Sequence, residues 1–555
     1  MPPTPGAPPV ANSFMQQVRG LDYVYWICIF MELMERMAYY GVRLVVPVFV
    51  VLPVSQGGAG LSHTEKGSIL ALWAVTQQWV PTFGGGLSDR FGYKRTIAVA
   101  VVLKTLGYAA MSQASGYWMM LLGTQFLAAG TGIFKPGVQG TMAHSIAKVP
   151  GGASLGWGIF YQSVNVGAAV AAFIPAFARD TMGWGWSGVF GVCSLIVFSN
   201  LLPLFFYRDP VDERQSSPDE RSALAVVFES FREVFTSPKL LGFIVISAGF
   251  WFGFHQFFDM LPNYVDDWTN SSILLGHLGQ VFGNSTWIAQ AAAGVNIPQE
   301  RLLNLNAILI MFTMFIFAWL SSKVSTLAST ILGMGIASLS MVAFVYTAEV
   351  YVVVAGVAAF TVGEMLSSPK RQEYMASLAP PGKRALYLGY ANMPDGIGWV
   401  AGSLVAGAAY DEKGDKVNLC RDFLSQHGSP EAAVAWLEGA RSGAVKEEAL
   451  GEMAKSLDVS TAAEALAKFD GVQGAALVER LADHMPRGEV MQYALGAVPT
   501  LPGGELATEA SLRAYLYATY QPGQVWWTFI ALGILSTVGM VIYDRWVRAT
   551  AARGV

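Results

Sequence analysis

Glu32-Leu33-Met34-Glu35-Arg36-Met37-Ala38-Tyr39-Tyr40-Gly41-Val42-Arg43 lies inside an otherwise apolar stretch, residues 22–51. About 20 apolar residues suffice to cross a bilayer core, so this stretch reads as a membrane-spanning helix that carries four ionisable side chains. Glu32, Glu35, Arg36, Tyr39 and Arg43 stand at i, i+3, i+4, i+7 and i+11, which at about 100° per residue is one stripe. Leu33, Met34, Met37 and Val42 form the opposite face. Charge in hydrocarbon is costly, so the stripe is expected to face a wet cavity between helices, where Arg36 offsets two carboxylates and protonation of one changes the local field. A static ion cluster that only fixes helix packing is the alternative, and it is disfavoured because buried charges are poor stabilisers.

The rest of the chain agrees with a membrane setting. Of 555 residues, 53% are hydrophobic and 13% charged, and the mean hydropathy is +0.42. That is too apolar for a soluble globular average. About twelve spans can be marked, near 22–51, 67–88, 95–113, 116–143, 154–178, 184–207, 240–266, 302–321, 325–347, 351–368, 385–409 and 524–544. With the N-terminus inside, Lys and Arg collect on the inner loops (Arg90, Lys94, Arg95, Lys148, Lys323, Lys370, Arg371), and the outer loops show little beyond Lys66, Arg179 and Arg301. The expected location is therefore the plasma or bacterial inner membrane, with both termini cytoplasmic. A net charge of -4 gives no basic field for nucleic acid. Cys28, Cys193 and Cys420 are too few and too scattered for a disulfide framework or a zinc site.

The spans divide the chain into a disordered cytoplasmic start (1–21), a first bundle (22–207), a linker (208–239), five further spans (240–410), an insertion (411–522) and a last span with its tail (523–555). In the linker, Leu224, Val227, Phe228, Phe231 and Phe235 recur at helical spacing, which predicts an interfacial helix. The insertion reads as short extracytoplasmic helices. Ser429-Pro430-Glu431 has the cap, proline and acid of a helix start, and Thr461 with Glu464 fits a capping box. It shows no metal-ligand spacing, nucleophile motif or phosphate loop, so a lid, or a surface for an extracytoplasmic protein partner, is expected rather than an enzyme.

Glu32-x-x-Glu35-Arg36-Met37-Ala38-Tyr39-Tyr40-Gly41 resembles the E-x-x-E-R-F-x-Y-Y-G signature of the proton-dependent oligopeptide transporters, a family of major facilitators, with Met37 at the Phe position. Gly85 to Arg95 resembles the superfamily's loop motif after the second span, and Gly132 with Lys135-Pro136 its G-x-x-K-P element. Phe160-Tyr161-Gln162-Ser163-Val164-Asn165-Val166-Gly167 resembles F-Y-x-x-I-N-x-G. Gly363-Glu364-Met365-Leu366-Ser367-Ser368-Pro369 and Leu305-Asn306 are similar to the family's tenth- and eighth-span elements, with Ala307 where the latter has Pro. The resemblance implies an all-α major facilitator fold of twelve helices in two six-helix bundles around a midplane cavity, with the helical insertion between helices 11 and 12.

It also implies roles. Arg43 and Lys135 would receive a carboxylate of the cargo, Asn165 and Asn306 its polar groups, and Glu364 its ammonium or a proton, with Tyr39 and Tyr40 lining the cavity. Asp89 and Arg90 would form a gate. The seventh span departs from the pattern: His255 precedes Gln256 where the family has a Glu that pairs with the fourth-span Lys. A histidine titrates near neutrality but gives Lys135 no anionic partner. Asp259, one turn on, could supply that carboxylate to His255 or towards Lys135, or make only a local His-Asp bond. Asp395, absent from the family pattern, would mark a contact for ion or solute, or cap a helix broken beside Pro394. The expected function is proton-coupled symport of di- and tripeptides or related zwitterions, with protons the coupling ion, no cofactor or metal, and no enzymatic activity. Two alternatives stand beside it: a carrier for another organic solute, and a non-transporting receptor acting through the insertion.

Overall fold

The computed structural model describes residues 14–150, 153–209, 232, 234–379, 387 and 389–552. Among them, twelve helices of fifteen residues or more run as α1 (Tyr23–Arg43), α2 (His63–Phe91), α3 (Tyr93–Ser112), α4 (Tyr117–Ala147), α5 (Ala153–Ala171), α6 (Gly185–Ser199), α7 (Pro238–Phe254), α8 (Leu305–Ser321), α9 (Thr326–Ser340), α10 (Val350–Leu378), α11 (Met393–Lys413) and α12 (Trp526–Ala552). The starts follow local chemistry. Asp22 accepts from Tyr25 N at 3.0 Å ahead of α1. Ser62 and Glu65 close a capping box on α2. The linker helix predicted near 224–235 falls largely outside the described residues. Of the start expected to be disordered, residues 1–13 lie outside the described residues and Phe14–Gly20 is helical.

Seven of the twelve helices, α5 to α10 and α12 with their flanking turns, are long and apolar enough to cross a membrane. Four of the other five hold most of the buried charge: Glu32, Glu35, Arg36 and Arg43 on α1, Lys66 on α2, Lys104 on α3 and Asp395 on α11 are all buried. Their lower hydropathy thus reflects groups turned into the protein, not a surface exposed to lipid.

Two apolar cores underlie two bundles. One gathers residues from Leu21 to Tyr207, and the other residues from Val234 to Tyr543. Each reaches into its neighbour once: Trp399 of α11 packs in the first core and Leu44 in the second. The bundles meet where α2 lies along α11 and α5 along α8. The first of these crossings is a glycine contact. A Cβ at Gly67 would lie 2.5 Å from Ser403 O and 3.0 Å from Gly407 Cα, so only glycine lets the helices approach this closely.

Among the interruptions in the predicted spans, two shape the site. The first ends at Arg43 and resumes as Val46–Val51, with Pro47 in its first turn. The seventh is α7 followed by Gln256–Asp259 and Leu261–Trp268, with His255 at the first break. Pro262 explains the second break, since it has no N–H to give the Phe258 carbonyl four residues back.

Between α11 and α12, seven short helices occupy Lys416–His427 to Glu509–Tyr520. Ser429 caps the second of them, accepting from Ala432 N at 3.1 Å. Thr461 accepts from Glu464 N at 3.2 Å, but the returning Glu464 carboxylate takes Ser460 N, one residue earlier than a regular capping box. Their buried Leu419, Phe423, Met453, Leu481 and Leu516 belong to the same apolar core as α7 to α12. The insertion is therefore cored together with the second bundle.

Candidate functional site

The α1 stripe is buried deeply. Glu32 and Glu35 are 0% exposed and Arg36 4%. Arg36 Nε pairs with Glu35 and lies 3.4 Å from Glu32 Oε1. A partner the sequence did not single out completes the cluster: Lys104 of α3, 0% exposed, forms an ion pair with Glu35. Gly167 of α5, from the second signature, lies against this turn, where a Cβ would be 2.9 Å from Arg36 Cβ. Tyr39 stands under the Arg36 guanidinium, 4.7 Å from ring centroid to Cζ, and its hydroxyl bonds Gln77 of α2 at 3.1 Å.

Arg43 does not wait for a carboxylate of the cargo. It forms a buried ion pair with Asp259 and donates to the Phe258 carbonyl at 3.2 Å, the acceptor that Pro262 leaves without its helical donor. Asp259 also accepts from Trp399 Nε1 at 2.9 Å and Ser403 Oγ at 2.8 Å. The expectation that Asp259 serves His255 or Lys135 is corrected: its carboxylate is saturated by Arg43, α11 and a tryptophan. Lys66, read as a loop charge, is 3% exposed and donates to Asn263 Oδ1 at 2.6 Å and to Asp259 O at 3.2 Å. These bonds join α1 and α2 to the broken seventh span. Thr64 Oγ1 to Asp411 at 2.8 Å, Asn263 Nδ2 to Pro47 O at 2.9 Å and Arg179 to Glu300 at 2.6 Å add to the same closure. The bundles are thus fastened to each other at the end where the insertion sits.

His255 finds its carboxylate on α11. Its Nε2 lies 2.5 Å from Asp395 Oδ1, and Arg371 of α10 holds the other oxygen at 3.1 Å. The imidazole stacks on Trp399 with centroids 4.5 Å apart and planes 9° from parallel. Asp395, left open as a contact or a cap, is the common acceptor of a histidine and an arginine.

Two charges remain uncommitted. Among the described residues, Lys135 of α4 has no ion pair or hydrogen bond; the charges acting on it include Arg36, Glu32, Asp395 and Arg371. Among the described residues, the Glu364 carboxylate of α10 accepts from Asn306 Nδ2 alone, at 2.8 Å, and Asn306 also donates to Thr361 Oγ1 at 3.1 Å. Tyr40 and Tyr161 are within electrostatic reach of Glu364. Asn165, expected to bind cargo, is buried and donates to the Tyr161 carbonyl of its own helix at 3.0 Å. Asp89 and Arg90 sit in the last turn of α2, and their side chains lie outside the described residues.

Two six-helix bundles with polar groups lining their junction define a multi-pass membrane carrier fold. The chain belongs to the Major Facilitator Superfamily, whose family model matches residues 25–403. Its relatives include the peptide transporter YePEPT of Yersinia enterocolitica, 30% identical over 171 residues, which are 30% of this chain and 33% of that protein. A di-/tripeptide transporter of Lactococcus lactis subsp. cremoris is 28% identical over 35% of this chain and 38% of its own length. The alignments to these two relatives thus span about a third of each. Solved structures share the fold across both bundles: a peptide transporter POT in complex with sulfate has a TM-score of 0.56 at 19% identity, covering 70% of this chain and 90% of that one. A POT family transporter in complex with 5-aminolevulinic acid has a TM-score of 0.57 at 16% identity, covering 71% of this chain and 91% of that one.

Proposed function

We propose that the chain is a proton-coupled symporter that imports small peptides or related zwitterions by alternating access, as a divergent member of the proton-dependent oligopeptide transporters. The observation that carries this reading is the pair of uncommitted charges, Lys135 on the first bundle and Glu364 on the second. A zwitterion spanning the junction would satisfy both, its carboxylate on Lys135 and its ammonium on Glu364. The names of the peptide-transporting relatives support the same cargo class. Proton coupling rests on the carboxylates buried at the junction, because proton uptake by one of them changes the charge the cargo meets. In the proposed orientation both termini are cytoplasmic and the fastened end with its insertion is outside, so the conformation is closed to the exterior.

Uptake of labelled dipeptide into proteoliposomes under an imposed pH gradient tests the proposal. Uptake that follows the gradient and is competed by unlabelled di- and tripeptides is expected; gradient-independent or peptide-insensitive behaviour would sink it. A second reading, a carrier of a non-peptide organic solute, is favoured by one feature: His255 with Asp395 and Arg371 stands where the family resemblance implies a Glu that pairs with the fourth-span Lys. A competition screen in which another solute blocks uptake and peptides do not would decide for it.

A further inference from the structure

Two carboxylates on one buried turn of α1 need two positive partners, and α1 itself offers one. Arg36 is shared, touching Glu35 closely and Glu32 at 3.4 Å, while Arg43 is drawn away to Asp259. The second cation comes from α3. Lys104 reaches Glu35 with its amine fully enclosed, and the rings of Tyr39 and Phe134 flank that amine, each centroid 5.8 Å away. The path of its stem is cut into α4: a Cβ at Gly130 would overlap the Lys104 side chain and lie 2.8 Å from Ala100 O. Glu32 and Lys135 also lie within electrostatic reach of Lys104. With Lys104 in place, Glu32, Glu35, Arg36 and Lys104 sum to zero, and Lys135 is not needed to neutralise the stripe.

We propose that Lys104 is a positioning residue for cargo binding: by supplying the second counter-charge of the α1 stripe from α3, it keeps the amine of Lys135 on α4 free for a carboxylate. The role rests on the carrier reading above, but its charge logic can be tested without cargo. Removing Lys104 leaves one acid of the stripe unpaired in a buried site, and Lys135, on which Glu32 acts and which is itself unpaired among the described residues, is the cation left to answer it. A buried charge stripped of its partner is costly, whereas removing both partners together is much less so.

The transport arm compares Lys104→Met and Lys104→Arg in proteoliposomes. For a peptide with a free carboxylate, K104M should raise KM about tenfold or more, the scale of about 1.4 kcal/mol per decade. The C-terminally amidated peptide should change far less, because it makes no demand on Lys135. Retention of KM by K104R is expected. Equal loss for both peptides would overturn the proposal.

The cargo-free arm measures melting of the purified protein in detergent. Lys135→Met should change the melting temperature little in the wild-type chain and lower it markedly in the K104M background. Equal effects of K135M in the two backgrounds would overturn the inference. If K104M does not fold, the double variant Lys104→Met/Glu35→Gln carries the melting test, since with Glu35 neutral K135M should again have little effect and a large one would refute the assignment. Absence of peptide uptake by the unmodified protein would count against the carrier reading alone and leave the melting comparison standing.

Discussion

Arg43 shows how one side chain changes meaning when its surroundings are known. On α1 it continues a stripe, and the stripe could be read from spacing alone, since i, i+3, i+4 and i+7 is local information. Its partner Asp259 lies 216 positions away, and Lys104 meets Glu35 across a different helix; no periodicity within a segment contains either pairing. For the same reason His255 could be recognised as unusual, but not assigned to Asp395 rather than to Asp259 one turn along. Asp259→Asn should lower the melting temperature by several degrees, because breaking a buried pair from one side costs about 3–5 kcal/mol. Combining it with Arg43→Met should recover part of that loss, and thermal melting of the three proteins checks both statements. Glu364→Gln keeps the Asn306 bond and removes the charge. On the proposed function it should raise KM for a free-amine dipeptide about tenfold or more, with a much smaller change for the N-acetylated one.

At the scale of elements, the twelve spans were legible because apolar length is a one-dimensional signal, but their interruptions followed other rules. Pro47 and Pro262 were in plain view, yet a continuous hydropathy run conceals where the helix stops. The α2–α11 crossing illustrates a further limit, since Gly67 and Gly407 read as two small residues until they are seen to face each other. Gly67→Ala is expected to force the two helices apart at a cost of about 1–3 kcal/mol, seen as a lower melting temperature with the fold retained by circular dichroism. The link into the insertion is electrostatic. Asp415, fully buried, pairs with His63 of α2 at 2.9 Å and with Arg487 at 2.5 Å. Burial pushes its carboxyl up, but Arg487 and His63 outweigh that and hold it well below the usual carboxylate range. A depressed carboxylate contributes stability that is present above its ordinary value of about 4 and is lost as pH falls below it. Stability should therefore be insensitive to this residue's titration from about pH 5 to 8. Asp415→Asn should flatten the acid limb of a melting-temperature profile measured from about pH 3 to 7.

For the molecule as a whole, the sequence placed the insertion but not its allegiance. Its helices share a core with the second bundle, while Glu452 accepts from Val54 N of the first bundle at 2.8 Å, and Asp415 reaches His63. Under alternating access these contacts must part each time the fastened end opens. Cysteines at Val54 and Glu452 joined by a short bifunctional reagent should arrest uptake, and single-cysteine controls treated alike should not. The native Cys28, Cys193 and Cys420 are all buried, which keeps background labelling low. On the proposed cycle, a body cored with one bundle and only touching the other is expected to swing with the second bundle, as a lever. A fluorophore on an exposed site of Gly474–His484, paired with one on the first bundle, would give an optical record of each turnover, with the translocation path itself left chemically untouched.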